Sequence, residues 1–361
     1  IDTLPKDDVD MLVYGFLAQI DKPTEVNRYK KGIVEVSNVQ TLIHAVNKAK
    51  PGDTIFLHPG EYNVDDRSVR IRTFTDGTAL QPITLTASPN TVKIISGIPV
   101  VMILKNSYWQ VNNMEFVGGC DLDKRCEHAI HVVGNVKNIL ISHNTFKNFN
   151  AHIKANGTVK NGQRAFPENG RISSNVFYNE WVREVNVSVT PIDIVGGSHW
   201  QINDNFIADF SKLKKKGRAI GYTYGVFLKG ASSKGIIENN MVICEWKVKP
   251  YSNIDSRIGI SFGGGGTGEG MCETENCEYE HTQGVIRNNK IVNCSNDVGI
   301  YLNKAKDSTV VNNVILGSLG IDSRYSITSG NVNNNIYQGR LTNRAGSTVK
   351  YKNNSKYDGA L

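Results

Sequence analysis

Short apolar segments alternate with asparagine-containing turns along most of the chain. In residues 201–207 (QINDNFI) and 286–291 (IRNNKI), β-prone apolar residues flank an asparagine that recurs at similar intervals. The recurring residues are Asn113, Asn144, Asn175, Asn205, Asn240, Asn289, Asn313, Asn335 and Asn354. The last three intervals are 24, 22 and 19 residues, and a period of about 20 to 30 residues with strand-like segments predicts a β-solenoid. Asparagine suits the turn because it tolerates the left-handed backbone region and can stack its amide on neighbouring coils.

A second set of apolar segments has the period of two that marks a β-strand. The pattern predicts inward side chains at Ile192, Ile194, Val226, Leu228, Ile300 and Leu302. Two columns then face outward: Asp193, Phe227, Ser261, Tyr301 and Asp322 in the first, and Val195, Lys229, Gly263, Asn303 and Arg324 in the second. Because neighbouring coils lie about 4.8 Å apart, a polymer on this outer face would contact several of these residues.

The first 50 residues lie outside the repeat. Residues 7–20 are predicted to form a short amphipathic helix with acidic residues in its first turn. A second helix is predicted over 39–50, capped by Ser37 or Asn38 and stopped by the Pro51-Gly52 pair. An open solenoid end needs a cover, so we expect this helix to cap the first coil. The sequence predicts one domain over 1–361, with an N-terminal extension and cap at 1–50 and coils over 51–361.

Long insertions interrupt the coils. They fall at 117–128, 151–170, 208–224, 245–258 and 263–283, and we expect them to form walls on one side of the outer face. The last insertion contains four consecutive glycines, 263–266, and an acidic segment, 275–281. That acidic segment is interpreted either as a lid or as a solvated hairpin tip.

Composition narrows the choice of partner. The chain has 41 Lys and Arg against 34 Asp and Glu, a formal net charge of +7, and a basic chain favours a polyanionic partner. Nucleic acid is disfavoured because the basic residues are scattered, apart from the lysines at 214–216, and no nucleic-acid-binding motif is present. The sequence contains no run of 18 apolar residues, so no membrane span is predicted. We therefore expect a monomer that binds an anionic polysaccharide.

Six cysteines indicate an oxidising compartment. Cys120 and Cys126 bracket one short loop, Cys272 and Cys277 bracket another, and Cys244 and Cys294 each end a repeat. Close spacing in loops predicts small disulfide-closed loops, with free buried thiols as the alternative. Neither pair has the spacing of a zinc site. Because the chain also begins at Ile1 rather than Met, we expect a processed, secreted or periplasmic protein.

Three segments near the N-terminus are similar in sequence to a known family. They are residues 36–63 (VSNVQTLIHAVNKAKPGDTIFLHPGEYN), 82–97 (PITLTASPNTVKIISG) and 106–119 (NSYWQVNNMEFVGG). Together they resemble the start of the right-handed parallel β-helix lyases, most of all polysaccharide lyase family 6, which contains alginate lyases and chondroitinase B. The resemblance implies that fold, with an N-terminal capping helix.

A second match lies further along the chain. Family members carry a segment of the form C-D-G-E-x-E-I-I-S-N-K-S and, one coil later, L-R-H-G. Residues 294–305 (CSNDVGIYLNKA) and 323–325 (SRY) stand in those places. The resemblance covers 36–119 and 285–340, and it implies Lys304 as the general base and Arg324 as its catalytic partner.

The chain departs from the family at the metal site. Family members often bind calcium through two acidic residues of this segment and an asparagine of the preceding coil. Asp297 matches the first acid, but Gly299 replaces the second and Tyr325 replaces the family histidine. The resemblance thus implies a Ca²⁺ site at Asp297 that the substitutions weaken. It also implies a diverged subgroup, for which biofilm-matrix exopolysaccharide lyases are one candidate.

The chemistry expected of such a site is β-elimination. A base removes the proton next to a uronate carboxylate, positive charge stabilises the resulting anion, and an acid protonates the leaving oxygen. Lys304 and Arg324 on adjacent coils meet this need, and Arg324 can hold the carboxylate bidentately. Tyr301 is predicted to stack on a sugar or to share in proton transfer. The alternative for Lys304 and Arg324 is that both are solvated charges at the corners of the coils.

Other polar residues are predicted to bind substrate. Asn303, Asp322 and Tyr325 are expected to contact it beside the lysine and arginine. Lys229, Arg257 and His281 form a rival set, either a second catalytic group or binding subsites, because histidine is the usual base at neutral pH. His131 and His199 are interpreted as turn or ladder histidines.

Three other functions remain open on the same scaffold. A glycoside hydrolase needs two carboxylates about 5 to 9.5 Å apart, and the outward acids Asp193 and Asp322 lie four coils apart. A uronate epimerase begins with the same proton abstraction as a lyase. The fold also permits a non-catalytic carbohydrate-binding or adhesive solenoid. The prediction is a polysaccharide lyase that cleaves an acidic, uronate-containing polymer.

Overall fold

Each repeat of the sequence closes into one coil of short strands. The computed structural model describes residues 3–20, 32–213, 221–248, 254–264 and 267–359. In these residues each strand pairs in parallel with the matching strand of the next coil, which builds three long sheets, named sheets 1, 2 and 3 in chain order. The predicted all-β, right-handed parallel β-helix is confirmed.

The strands of each sheet have the following bounds. Sheet 1 contains Ile33–Val36, Thr54–Leu57, Ile83–Ala87, Trp109–Asn112, Leu140–Ser142, Arg171–Ser173, Gln201–Asn203, Ile236–Glu238, Val285–Arg287, Ser308–Val311, Gly330–Asn333 and Lys350–Lys352. Sheet 2 contains Gly60–Val64, Val92–Ser96, Glu115–Gly118, Thr145–Lys147, Val176–Tyr178, Phe206–Ala208, Met241–Ile243, Lys290–Val292, Val314–Leu316, Ile336–Tyr337 and Ser355–Lys356. Sheet 3 contains Ile71–Arg72, Val100–Leu104, His128–Val133, Ile153–Asn156, Ile192–Val195, Tyr222–Lys229, Ser256–Phe262, Ile300–Asn303, Gly320–Arg324 and Arg340–Arg344.

Smaller elements lie in the connections. Thr158–Lys160 and Gln163–Ala165 pair as an antiparallel hairpin. Ser232–Ser233, His281–Thr282 and Ala305–Lys306 form a short parallel sheet between sheets 3 and 1. Single 3₁₀ turns occupy Arg67–Val69, Asp123–Arg125 and Glu269–Met271.

The helix α2, Val39–Lys48, caps the first coil as predicted. Asn38 accepts a hydrogen bond from Thr41 N at 2.9 Å, and Thr41 Oγ1 accepts one from Asn38 N at 3.3 Å, a reciprocal capping box. Leu42, Ala45 and Val46 are buried against the first strands. The helix therefore closes the N-terminal end of the solenoid core.

The helix α1, Lys6–Gln19, confirms the predicted N-terminal helix with acids in its first turn. The helix lies on the outer surface of sheet 2, a position that the sequence did not predict. Val9 and Val13 pack there against Phe206 and Met241 in an apolar cluster separate from the main core. Among the described residues, neither helix is long and apolar enough to span a bilayer.

All six cysteines form disulfides, so the alternative of free thiols is wrong. The pairs are Cys120–Cys126, Cys244–Cys294 and Cys272–Cys277. The first and third close short loops as predicted, and the second links successive coils at the ends of adjacent sheet 2 strands.

A ladder of buried asparagine side chains fixes the register between coils. Asn240 shows one rung: its Nδ2 donates to Ile202 O at 2.8 Å and to Asn289 Oδ1 at 3.0 Å, and its Oδ1 accepts from Asn205 N at 3.0 Å. The same pattern repeats from Asn144 to Asn354. Each amide therefore bonds the coils on both sides of it, which confirms the predicted stacking.

The predicted ladder needs two corrections. Met114, not Asn113, occupies the first ladder position, because Met114 N donates to Asn144 Oδ1 at 3.1 Å. The left-handed backbone belongs to the residue before each ladder asparagine, such as His143 and Asn288, both with φ of 56°. Asn113 has φ of 65° and stands in this preceding position.

We expect Asn240→Leu to lower the free energy of unfolding by about 3 kcal/mol, because an apolar side chain leaves buried donors and acceptors without partners. Asn239→Gly is the matched control. Asn239 is exposed with φ of 56°, which glycine adopts without strain, so its effect should stay within about 0.5 kcal/mol. Chemical unfolding followed by circular dichroism measures both variants. Equal stabilities would contradict the role assigned to the ladder.

Candidate active site

The outer face of sheet 3 carries the two predicted columns in register. Asp193 pairs with Phe227, Phe227 with Ser261, Ser261 with Tyr301, and Tyr301 with Asp322 on successive strands. In the second column Val195 pairs with Lys229 and Asn303 pairs with Arg324. The inward residues of these strands are fully buried, as predicted.

Insertions flank this face along both edges, whereas the sequence predicted walls on one side. The described parts of the insertions at 117–128, 208–224 and 245–258 precede strands of sheet 3 and form what we call the leading wall. Those at 151–170 and 263–283 follow strands of sheet 3 and form the trailing wall. Repeat length does not reveal which corner of a coil an insertion occupies, which explains the error. The lysines at 214–216 lie outside the described residues.

Two glutamates anchor the trailing wall to turns of the coils. Glu273 Oε2 accepts a hydrogen bond from Gly197 N at 2.8 Å. Glu280 Oε2 accepts from Gly230 N and from Thr267 Oγ1, both at 2.8 Å. Arg164 of the hairpin donates to Cys272 O at 2.6 Å and joins the two insertions of this wall. The acidic segment 275–281 therefore ends in a fixed, buried contact.

Tyr301, Asn303 and Arg324 meet at the C-terminal end of the face. Asn303 Nδ2 donates to the Tyr301 hydroxyl at 2.9 Å, and the Arg324 guanidinium lies close enough to the phenol to act on its pKa. Burial, only partly offset by Arg324, raises the pKa of Tyr301. Asn303 Oδ1 is buried with no hydrogen-bond partner in the described part of the chain. The phenol oxygen thus accepts from Asn303 beside the Arg324 guanidinium, and its own proton can be donated to a ligand.

Arg344 is a site residue that the sequence did not reveal. Its Nε donates to both carboxylate oxygens of Asp322, at 2.9 and 3.0 Å, and its side chain is 49% exposed. The hydrogen bonds to Asp322 raise the pKa of Arg344, so it stays charged. It stands beside Arg324 in the second column, one coil further along. The spacing of one coil between Arg324 and Arg344 is the sequence signal from which Arg344 could have been found.

Lys304 and Tyr325 border this group. Lys304 follows the strand Ile300–Asn303 with φ of 53°, partly exposed, and its ammonium makes no hydrogen bond or ion pair to any described residue. Tyr325 has φ of 77°, and the Arg324 guanidinium carbon lies 4.7 Å from the centre of its ring. The roles assigned to both residues stay predictions.

The surroundings of Asp297 do not fit a calcium site. Asp297 Oδ1 accepts from Val298 N at 2.8 Å, and burial raises the pKa of its carboxyl group. A Cβ at Gly299 would lie 2.4 Å from Ile315 Cγ2, so an acid at that position would point into the core. Within the described residues no group of three or more His, Cys, Asp or Glu side chains could hold a metal ion.

Arg257 was predicted to bind substrate, and this is wrong. Its side chain is 1% exposed and forms an ion pair with Glu245 inside the leading wall. Its Nε donates to Asn296 Oδ1 at 3.2 Å, and burial lowers its pKa. Arg257 therefore stabilises the wall and does not reach the face.

His281 was also predicted to bind substrate, and its position contradicts this. The ring is fully buried and stacks on Phe262 with centroids 4.1 Å apart. Its Nδ1 hydrogen-bonds Ser232 Oγ at 2.7 Å, and burial lowers its pKa to about 3. His281 is a neutral structural residue of the turn.

The middle of the face is covered. Phe227 is outward in register but 4% exposed, stacked on Tyr224 with ring centroids 4.0 Å apart. The trailing wall crosses it, since a Cβ at Gly264 would lie 2.3 Å from Phe227 Cζ. Lys229 Nζ lies at the border of this covered region, 4.4 Å from the centre of the Phe227 ring. The rival set of Lys229, Arg257 and His281 is thus not brought together.

The fold is shared with known proteins that act on polysaccharides. The A-module of the mannuronan C-5 epimerase AlgE4 from Azotobacter vinelandii aligns with a TM-score of 0.50 and 11% identity, over 89% of this chain and 95% of that chain. The catalytic unit of an α-1,3-glucanase of family GH87 from Streptomyces thermodiastaticus aligns with a TM-score of 0.50 and 10% identity, over 94% and 70%. A mannuronic-acid-specific family 6 polysaccharide lyase from human gut microbiota aligns with a TM-score of 0.49 and 12% identity, over 90% and 83%.

These comparisons support the fold, and they do not identify the reaction that the protein catalyses. No protein-family model and no curated protein sequence matches this chain. The structural neighbours also include a lyase of family 6, the family that the sequence resembles.

We expect Arg257→Met to lower the free energy of unfolding by about 3 kcal/mol, because Glu245 is left buried without its cation. Adding Glu245→Leu should restore most of that loss. Denaturation of the single and double variants measures both effects. A variant with wild-type stability but lost polysaccharide binding would show that the structural assignment of Arg257 is wrong.

Proposed function

We propose that the protein is a polysaccharide lyase that cleaves an acidic, uronate-containing polymer by β-elimination. The observation that carries this proposal is the group formed by Tyr301, Asn303, Arg324 and Arg344 on the outer face of sheet 3. It places two guanidinium groups beside a proton-bearing phenol. The net charge of +7 supports an anionic substrate. The shared fold with a mannuronan epimerase supports a uronate polymer.

The two arginines supply the positive charge that β-elimination needs. Arg324 and Arg344 bind the uronate carboxylate and stabilise the enolate-like anion as charge builds up on its oxygens. Asp322 holds Arg344 in place through both of its carboxylate oxygens. Asn303 Oδ1, which no described residue pairs, accepts a sugar hydroxyl, and Tyr325 borders the sugar ring.

Proton transfer then involves Lys304 and Tyr301. Lys304 takes the proton from the carbon next to the carboxylate. The electron pair of that C–H bond forms the new double bond as the bond to the glycosidic oxygen breaks. Tyr301 gives its hydroxyl proton to the departing oxygen. Its raised pKa suits this role, because the phenol keeps its proton at neutral and mildly alkaline pH.

A glycoside hydrolase is the second candidate, and one observation favours it. Asp297 and Asp322 lie close enough to interact, and burial raises the pKa of Asp297, as expected of a general acid. Asp193 and Asp322 stand four strands apart, as the sequence predicted. The lyase is preferred because Arg344 occupies both oxygens of Asp322.

The three disulfides support a secreted or periplasmic location. Activity on a biofilm-matrix exopolysaccharide stays a prediction.

Incubation with alginate, polygalacturonate, glycosaminoglycans and bacterial exopolysaccharides should show cleavage of at least one acidic polymer. Ultraviolet absorbance measures the unsaturated uronide that only β-elimination produces. Neutral polymers of similar length serve as the control. Release of reducing ends without new absorbance would identify a hydrolase instead.

On the cleaved polymer, Lys304→Ala, Arg324→Ala and Tyr301→Phe should each reduce kcat at least 100-fold, because each removes a proton-transfer or charge-stabilising group. Lys306→Ala is the matched control, since Lys306 lies two residues beyond Lys304 and bonds Tyr279 in the trailing wall at 3.2 Å. Initial rates at saturating substrate measure the effect. Full activity of all three variants would refute the site.

A further inference from the structure

A second polar group lies at the N-terminal end of the same face, on strands that the proposed reaction does not use. His131 and Lys154 are register partners on adjacent strands, and Lys154 pairs in turn with Asp193. Lys229 stands one strand beyond Asp193 in the second column. The group therefore combines an imidazole, a carboxylate and two ammonium groups within four neighbouring strands.

The tautomer of His131 is fixed by Asn156. Asn156 Nδ2 donates to Gly157 O at 2.9 Å, so its Oδ1 accepts from His131 Nε2–H at 2.6 Å. Burial lowers the pKa of His131, and the nearby cations, Lys154 foremost, lower it further, so the ring is neutral near pH 7. Nδ1 is then a lone-pair acceptor, and no described residue donates to it. It suits a ligand hydroxyl.

The carboxylate of Asp193 also has an oxygen without a hydrogen-bond donor among the described residues. Its Oδ2 pairs with Lys154, whereas Oδ1 is buried with no hydrogen-bond partner among the described residues. Lys154 and Lys229 outweigh the effect of burial and hold the pKa of Asp193 below its usual value, so it is ionised. A buried, ionised oxygen without a donor is costly. A ligand hydroxyl would satisfy it after a small side-chain movement.

Lys229 gives the group its surplus charge. Lys154 is neutralised by Asp193, whereas Lys229 forms no ion pair with any described residue and lies 4.4 Å from the centre of the Phe227 ring. Arg70 and Lys105 add further positive potential around His131. A ligand that fits must carry one anionic group and at least two hydroxyls.

We propose that this group is a second binding site, which takes a carboxylate-bearing sugar: Lys229 binds the carboxylate, and His131 and Asp193 accept hydroxyl protons. The choice of a uronate as ligand rests on the proposed function, whereas the site itself rests on the contacts described above. A phosphate monoester fits less well, because the Asp193 carboxylate would repel its greater charge.

The site is separate from the proposed catalytic group. Lys229 and Arg324 belong to one column and are three strands apart, about 14 Å. The strands that carry Ser261 and Tyr301 lie between them, and Ser261 is fully buried. The second site therefore holds a part of the polymer distant from the bond that is cleaved.

Calorimetric titration tests the proposal without turnover, on protein carrying Tyr301→Phe. The probes are saturated mannuronate and galacturonate hexasaccharides, with a neutral cellohexaose as comparison. Lys229→Ala should weaken binding of an acidic hexasaccharide at least 10-fold, and His131→Phe about 3-fold or more, because a charged contact and a hydrogen bond are lost. Thermal unfolding of each variant confirms that it is folded.

Lys93→Ala is the matched control and should leave affinity unchanged, since Lys93 is an exposed lysine of sheet 2, 3.8 Å from Glu61. Wild-type affinity in both Lys229→Ala and His131→Phe would overturn the proposal. So would absence of binding of both acidic hexasaccharides at millimolar concentration, or equal loss of acidic and neutral binding in Lys229→Ala. If no polymer is cleaved but Lys229→Ala loses the acidic ligand, the proposed function fails and the second site stands.

Discussion

The whole structure depends on the register between coils, which buried hydrogen bonds hold in place. Each asparagine of the ladder bonds the coil before it and the coil after it, so a slip of one residue would break buried bonds on both sides. The functional face is a consequence of that register. Tyr301, Asp322 and Arg324 lie on different coils, and only aligned coils bring them together. A site of this kind has precision because its supporting strands cannot shift independently.

Much of this arrangement was predictable from the sequence. Inward apolar residues alternate with outward ones, so the columns that contain Tyr301 and Arg324 follow from the period of two alone. The ladder was displaced by one residue at its start because the pair Asn112–Asn113 resembles the later pairs, such as 288–289, whereas the ladder position falls on Met114. Only the hydrogen bonds show that the first member is left-handed and the second is stacked.

The errors at the site have a common physical cause. Arg257 and His281 are residue types that often act in catalysis, yet both are buried in the walls, with Glu245 and Ser232 as partners. Sequence does not show the path of an insertion, so it cannot tell a charge that faces a groove from one that fastens a loop. Arg344 was missed for the opposite reason, since its strand lacks apolar alternation and gives no strand signal of its own.

The central proposal is that the group at the C-terminal end of the face carries out β-elimination. Proton magnetic resonance of an acidic polymer digested in D₂O tests this most directly, because lyase, hydrolase and epimerase leave different signals. We predict a new olefinic proton at the non-reducing ends, which is absent when Tyr301→Phe protein is used. New reducing ends without an olefinic signal, or deuterium incorporated into uncleaved polymer, would contradict it.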